Sequence, residues 1–424
     1  MNKVWYVAAL LPLWAACGDP GSIKPDSETR AVLVEGSGTY SREISTQNPQ
    51  AQAFFDQGLR LAWGFYFPES IASYQEAARL APDHPMPFWG MAHAMGPNPN
   101  SRYAQMPDDP KGEGLKAINS ALERIDRASP LEAKLIRALH VLYDQQTIPD
   151  QDERDQAYLA AMRSLNDEYP YDPDVTALYA ASYMSIRRWD YWDSDGNPKD
   201  ETLSVAEALE YNIARDLSHP GVLHLHIHLI EASLEPERAL VSADALEATV
   251  PIGGHVVHMP AHIYVRVGQY GKAIDSNIRS QAVDLLFAER WGDYPLPNLG
   301  TYPLSHRMHA GHALDFIRYA ATVQGNYKTA NEAARRMTSR ITDNAVAVRG
   351  GQKHVSAAWL VLKIFGKWDE LLAITPAHQG TPYMDGIWSY ALGSAHLAKG
   401  NMSAALQQAA KLNEIARAPN ADEY

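Results

Sequence analysis

The chain has a single cysteine, Cys17, in 424 residues. An internal disulfide is therefore impossible, and neither thiolate metal ligands nor a cysteine nucleophile can serve a folded site downstream of it. Positive charge is also in short supply. Lys and Arg total 37 against 50 Asp and Glu, a net charge of −13. Phosphate recognition needs a basic surface, so a nucleic-acid partner is excluded. Several catalytic signatures are missing. There is no H-E-x-x-H, G-x-S-x-G, P-loop or G-x-G-x-x-G, which removes the sequence support for zincin, serine hydrolase, nucleotide and dinucleotide chemistry. Beyond the first residues, no apolar run approaches the roughly 20 residues of a membrane span.

The N-terminus is built differently from the rest. Lys3 precedes an apolar stretch from Val4 to Trp14, and small residues lead into Cys17. Residues 1–16 are expected to be an export signal and to take no part in the fold. The sequence Leu13-Trp14-Ala15-Ala16-Cys17 resembles the lipidation site of bacterial lipoproteins, with Trp14 where that motif usually carries Leu. The resemblance implies a lipid anchor on Cys17 as the sole membrane contact, and a periplasmic or cell-surface location. Residues 17–50, with Gly, Pro, Ser and Thr but no helical period, are expected to form a tether that covers part of the domain.

From Ala51 onward the pattern is helical. Phe54 and Gly58 in a first helix, then Tyr74, Ala77 and Pro82 in a second, form one helix–turn–helix unit. Small residues let paired helices approach, aromatics fill the gaps, and proline stops the second helix. A turn signature recurs later as Gly268, Tyr270 and Ala273, as Gly325, Tyr327 and Ala330, and as Gly400, Met402 and Ala405, with a weaker copy at Gly366 and Trp368. These units resemble tetratricopeptide (TPR) repeats, which are 34 residues long. The resemblance implies an all-α, TPR-like α-solenoid with long loop insertions. Residues 51–200 are expected to hold irregular repeats and residues 201–424 the regular ones carrying the site. The loop RRWDYWDSDGNPKDE at 187–201 is one insertion of the kind that shapes a binding face.

Histidine is concentrated in one place. The stretch from His219 to His262 holds 7 of the chain's 16 histidines. His224 and His228 are four apart, as are His258 and His262, and the second pair follows the first by 34 residues. On a helix, residues 224, 228 and 231 share a face, as do 255, 258 and 262. In TPR arrays, positions 2, 5, 9, 12 and 13 of each first helix line the concave groove. A unit starting at Pro220 then places His224, His228 and Glu231 at positions 5, 9 and 12. The unit at Gly254 places His255, His258 and His262 at 2, 5 and 9 and Arg266 at 13. His306, His309 and His312 supply a third row, with His312 at position 2 of a unit at Gly311. His93 and His219 are further candidates, and His226 is expected to be structural.

Imidazole-rich sites suit copper, zinc, nickel or iron. The expected metal ligands are His224, His228, His255, His258, His262, His306, His309 and His312, with Glu231 and Arg266 as catalytic candidates. Two HxxxH pairs and a third row resemble the ligand supply of coupled dicopper centres. That implies a copper-dependent oxidoreductase using O2 on a small-molecule or peptide substrate in the groove. A zinc hydrolase with Glu231 as general base, and a non-catalytic scaffold for metal handling or protein binding, are the alternatives.

Overall fold

A computed structural model describes residues 29–99, 110–297, 305–341, 349–376 and 380–418. Cys17 and the apolar N-terminus lie outside them. The described residues form helices and no strand; the one isolated β-bridge joins Trp192 to Pro198. No helix among them is long and apolar enough to cross a membrane. In chain order the helices are α1 (Pro49–Trp63), α2 (Phe67–Leu80), α3 (Met86–Met95), α4 (Pro110–Leu122), α5 (Pro130–Tyr143), α6 (Gln151–Glu168) and α7 (Pro173–Arg187). Then come α8 (Thr202–Ile213), α9 (Pro220–Ile230), α10 (Leu240–Leu246), α11 (Gly254–His258), α12 (Pro260–Arg266) and α13 (Tyr270–Trp291). The last are α14 (Ser305–Val323), α15 (Tyr327–Ser339), α16 (Arg349–Ile364), α17 (Trp368–Leu372), α18 (Pro382–Ala398) and α19 (Met402–Ala416).

Consecutive helices pack as pairs along the chain, and the chain is a TPR-like α-solenoid. The local reasons are those of the sequence. Proline opens α1, α5, α7, α9 and α18, where a missing N–H costs nothing. Gly268 and Gly325 end first helices at φ 77° and 73°, a left-handed conformation that other residues adopt only with strain. The small Gly58 is explained by its partner: a Cβ there would stand 2.8 Å from the ring of Tyr74.

Two features go beyond a simple solenoid. The α1–α2 corner, Trp63-Gly64-Phe65-Tyr66, is driven into the middle repeats. A Cβ on Gly221 of α9 would lie 2.5 Å from the Trp63 ring, and the Tyr66 hydroxyl bonds Asp284 of α13 at 2.7 Å. The groove is therefore covered over His224, His228 and His255. Residues 29–48 then act as a strap. Gln57 accepts from Val34 N (2.7 Å), Arg60 donates to Ser37 O (2.8 Å), and Ile252 N donates to Gly36 O (3.1 Å). Further along, Tyr40 and Arg42 both reach the buried carboxylate of Asp174 in α7, at 2.7 and 2.9 Å.

Candidate metal centre

Three first helices supply the site: α9, the broken α11–α12 helix, and α14. The break falls at Met259-Pro260 because Pro260 has no N–H to continue the ladder. His258 and His262 on either side still share a face, with their Nε2 atoms 2.9 Å apart.

The imidazoles gather into two groups of three. His224, His228 and His255 form the first, and His258, His262 and His312 the second; within each, the ligand atoms lie within 4.8 Å of one another. The groups adjoin, with ring centroids 5.7 Å apart for His228 and His262 and 6.0 Å for His255 and His258. One rule generates both. Positions 5 and 9 of one repeat combine with position 2 of the next. The unit at Gly311 ends the series, because its positions 5 and 9 are Asp315 and Tyr319.

The hydrogen bonds around the rings decide which nitrogens face inward. His224 Nδ1 bonds the Trp63 carbonyl at 2.6 Å. A carbonyl only accepts, so Nδ1 carries the proton and Nε2 of the neutral ring is a lone pair. His258 Nδ1 likewise meets Asn277 Oδ1 at 2.6 Å, the amide being oriented by its own Nδ2 donating to Ala273 O. His228 and His262 donate from Nδ1 to the two oxygens of Glu231, at 3.1 and 2.5 Å. Four rings are thus held from outside by acceptors, the arrangement that orients metal-ligating histidines.

The inward nitrogens then have a problem that a cation solves. Nε2 of His258 and Nε2 of His262 face each other at 2.9 Å, both deprotonated in the tautomers their outer bonds require. His224 Nε2 stands 3.0 Å from His255 Nε2. Among the described residues, His228 Nε2 is buried with no hydrogen-bond partner. Lone pairs converging in a buried site repel unless a proton is shared between them or a metal ion lies among them. Imidazoles at about 2.0–2.1 Å from one ion come within roughly 3–3.5 Å of each other. The residues present therefore fit a metal, and among the described residues the donor set of both groups is all imidazole.

Electrostatics agree. Burial pushes His228 below the ordinary imidazole value, so it is neutral and ready to ligate at neutral pH. Burial alone would raise Glu231, but His262 and His228 outweigh it and hold the carboxyl well below the usual range. Each group also has a phenylalanine seated on its rings. Phe65 lies 4.4, 6.1 and 5.3 Å from His224, His228 and His255, and Phe316 lies 4.9, 4.7 and 5.0 Å from His258, His262 and His312. The first group is fully buried, whereas His262 is half-buried and His312 exposed.

Arg266, His219 and His93 are placed elsewhere. Arg266 is exposed and donates to Ser233 O at 2.9 Å. His306 and His309 belong to α14, but their side chains lie outside the described residues. His219 caps α9 through Val222 N and bonds Asp174 at 2.9 Å. His93 stacks on Trp89 and meets Trp63 edge-on, each at 5.3 Å, and burial pushes it down to about 4. His226 turns away to Ser242 and Glu210. Sequence reasoning missed Trp63, Phe65, Asn277 and Phe316. The aromatic run Trp63 to Phe67 at a repeat turn was the available signal for the first two. Asn277 gave none.

No family model matches the chain, and no curated protein matches it either. Solved structures do align. A human IFIT1 dimer with PPP-AAAA matches over 87% of this chain and 73% of its own, at 13% identity and TM-score 0.43. The APC/C hetero-tetramer Cut9-Hcn1 aligns over 92% and 78%, at 12% identity and TM-score 0.26. Naa15/Naa10 bound to HypK-THB aligns over 87% and 59%, at 12% identity and TM-score 0.24. Similarity at this level leaves the histidine site without a counterpart to reason from.

Proposed function

We propose that the chain is a histidine-ligated metalloprotein holding a pair of copper ions, and that it acts as an O2-dependent oxidoreductase on a small molecule. The observation that carries this is the pair of adjoining three-histidine groups, with outer nitrogens tied to acceptors and inner nitrogens converging. All-imidazole donors favour copper or zinc over the oxygen-loving ions. Such a pair of coppers, when bound, supplies a site that takes up O2 and accepts electrons from a reduced substrate. In this reading His224, His228 and His255 hold one ion and His258, His262 and His312 the other. Glu231 ties one ring of each group to the same carboxylate and so fixes their mutual position. Phe65 shields the first group from water, and Phe316 packs on the rings of the second.

The zinc-hydrolase alternative asks Glu231 to act as base. Both its oxygens already accept from imidazoles. A carboxylate so fully engaged is poorly placed for proton abstraction. Export and lipidation at Cys17 complete the proposal and place the enzyme outside the cytoplasm. The test is O2 consumption by copper-loaded, zinc-loaded and metal-free protein across a panel of reducing substrates. Copper-specific uptake supports the reading; hydrolysis by the zinc form alone would replace it.

A further inference from the structure

The loop between α7 and α8 contributes an aromatic that the metal reading leaves unused. Four non-glycine residues among those described have positive φ: Phe65 (62°), Arg188 (43°), Trp189 (71°) and Asp200 (43°). Phe65 seals the first histidine group, and the other three belong to this loop. Strained backbone of this kind persists only where the surroundings enforce it, and it gathers at functional sites.

The surroundings do enforce it. Trp192 Nε1 donates to Leu229 O of α9 at 2.7 Å, Lys199 N donates to Tyr191 O at 2.9 Å, and Tyr191 is completely buried. Thr202 Oγ1 also donates to Tyr191 O, at 2.9 Å. The loop is anchored on both sides, yet it holds Trp189 outward. Trp189 is 44% exposed, and its indole stands edge-on to the His228 ring, 4.9 Å between centroids. A tryptophan kept for packing would be buried, as Tyr191 is two residues later. Here consecutive strained residues hold a large aromatic against a metal-ligand ring while leaving much of it in solvent.

We propose that Trp189 is the platform on which a planar aromatic substrate stacks at the mouth of the histidine site. This rests on the metal reading above and specifies its substrate class. An indole face attracts a flat ring through dispersion and offset stacking, and a saturated ring of the same size loses that geometry. The half-buried Glu231 and His262 lie on the neighbouring side of His228, bonded to it directly or through the shared carboxylate. Trp189 thus meets the first group at His228, and Glu231, which accepts from both His228 and His262, links that ring to the more open group.

The test uses protein loaded with zinc, which holds the site without turning substrate over. Binding of 4-fluorobenzyl alcohol and of its saturated counterpart, (4-fluorocyclohexyl)methanol, is followed by fluorine NMR. Wild type is compared with Trp189→Ala and Trp189→Phe, and zinc content is measured in each. The expected result is binding of the aromatic probe at least tenfold tighter than the saturated one. Trp189→Ala should lose that preference with zinc content unchanged, and Trp189→Phe should recover most of it. Equal binding of the two probes, or aromatic binding untouched by Trp189→Ala, overturns the proposal while leaving the metal reading intact. A chain that takes up no zinc overturns both.

Discussion

Glu231 has the most to say about how the site works. It touches one imidazole of each group, so its loss should loosen both at once. Removing an outer-sphere partner of this kind typically costs 10- to 100-fold in metal affinity. For Glu231→Gln we expect a fall of about that size, because the amide keeps one acceptor oxygen of the two. Thermal stability without metal should fall too, because a half-buried carboxyl held below its usual range contributes stability at neutral pH. Competition titration with a chelator of known affinity measures the first and a metal-free melt the second; unchanged affinity would mean that the carboxylate orients nothing. At this scale the histidines were readable in the sequence, because spacing of four on a helix fixes their common face. Their outer partners were not. Trp63 O is a backbone atom, and Asn277 is one polar residue on a second helix, so neither leaves a pattern along the chain.

The elements explain why the repeat register brought the histidines together yet misjudged their surroundings. Register fixes which positions of a first helix face inward, and the 34-residue offset correctly aligned α9 with α11–α12. It carries no information about what returns from elsewhere in the chain to cover that face. The α1–α2 corner does so, with Trp63 against Gly221 and Phe65 on three imidazoles. This contact makes a specific prediction. Gly221→Ala places a methyl group 2.5 Å from the Trp63 ring, closer than real carbon contacts allow. Overpacking of this sort costs about 1–3 kcal/mol. Since the Trp63 carbonyl also holds His224, the variant should lose metal affinity as well as stability. A denaturant melt paired with metal titration tests the coupling, and loss of stability alone would separate the corner from the site.

Across the whole molecule, the strap and Asp174 join the N-terminal segment to α7 and α9. Arg42, Tyr40 and His219 all converge on that one carboxylate, which is nearly sealed from solvent. Burial would raise its pKa, but His219 and Arg42 outweigh burial and hold it far below the usual range. A depressed carboxyl contributes stability that is present above the unfolded value near 3.9 and is lost as pH falls through the range below it. Acid unfolding should therefore steepen below about pH 4, and Asp174→Asn should flatten that dependence. The same variant leaves Arg42 with reduced compensation in a buried setting, at a cost of about 3 kcal/mol near neutral pH. Unfolding curves at pH 3 to 7 for both proteins would show it. An all-α solenoid was legible at this scale from helical period, turn glycines and terminal prolines. The strap was legible only as a region without period, because extended chain that packs through backbone bonds leaves little trace in residue type.

Metal stoichiometry tests the central claim most directly. Elemental analysis of protein purified after copper-replete growth should give two copper ions per chain. His258→Ala with His262→Ala should leave one, and adding His224→Ala with His228→Ala should leave none, each variant checked for retained helicity. One ion per chain in the wild type would contradict the paired site. Copper that survives all four changes in a folded protein would place the metal somewhere other than these histidines.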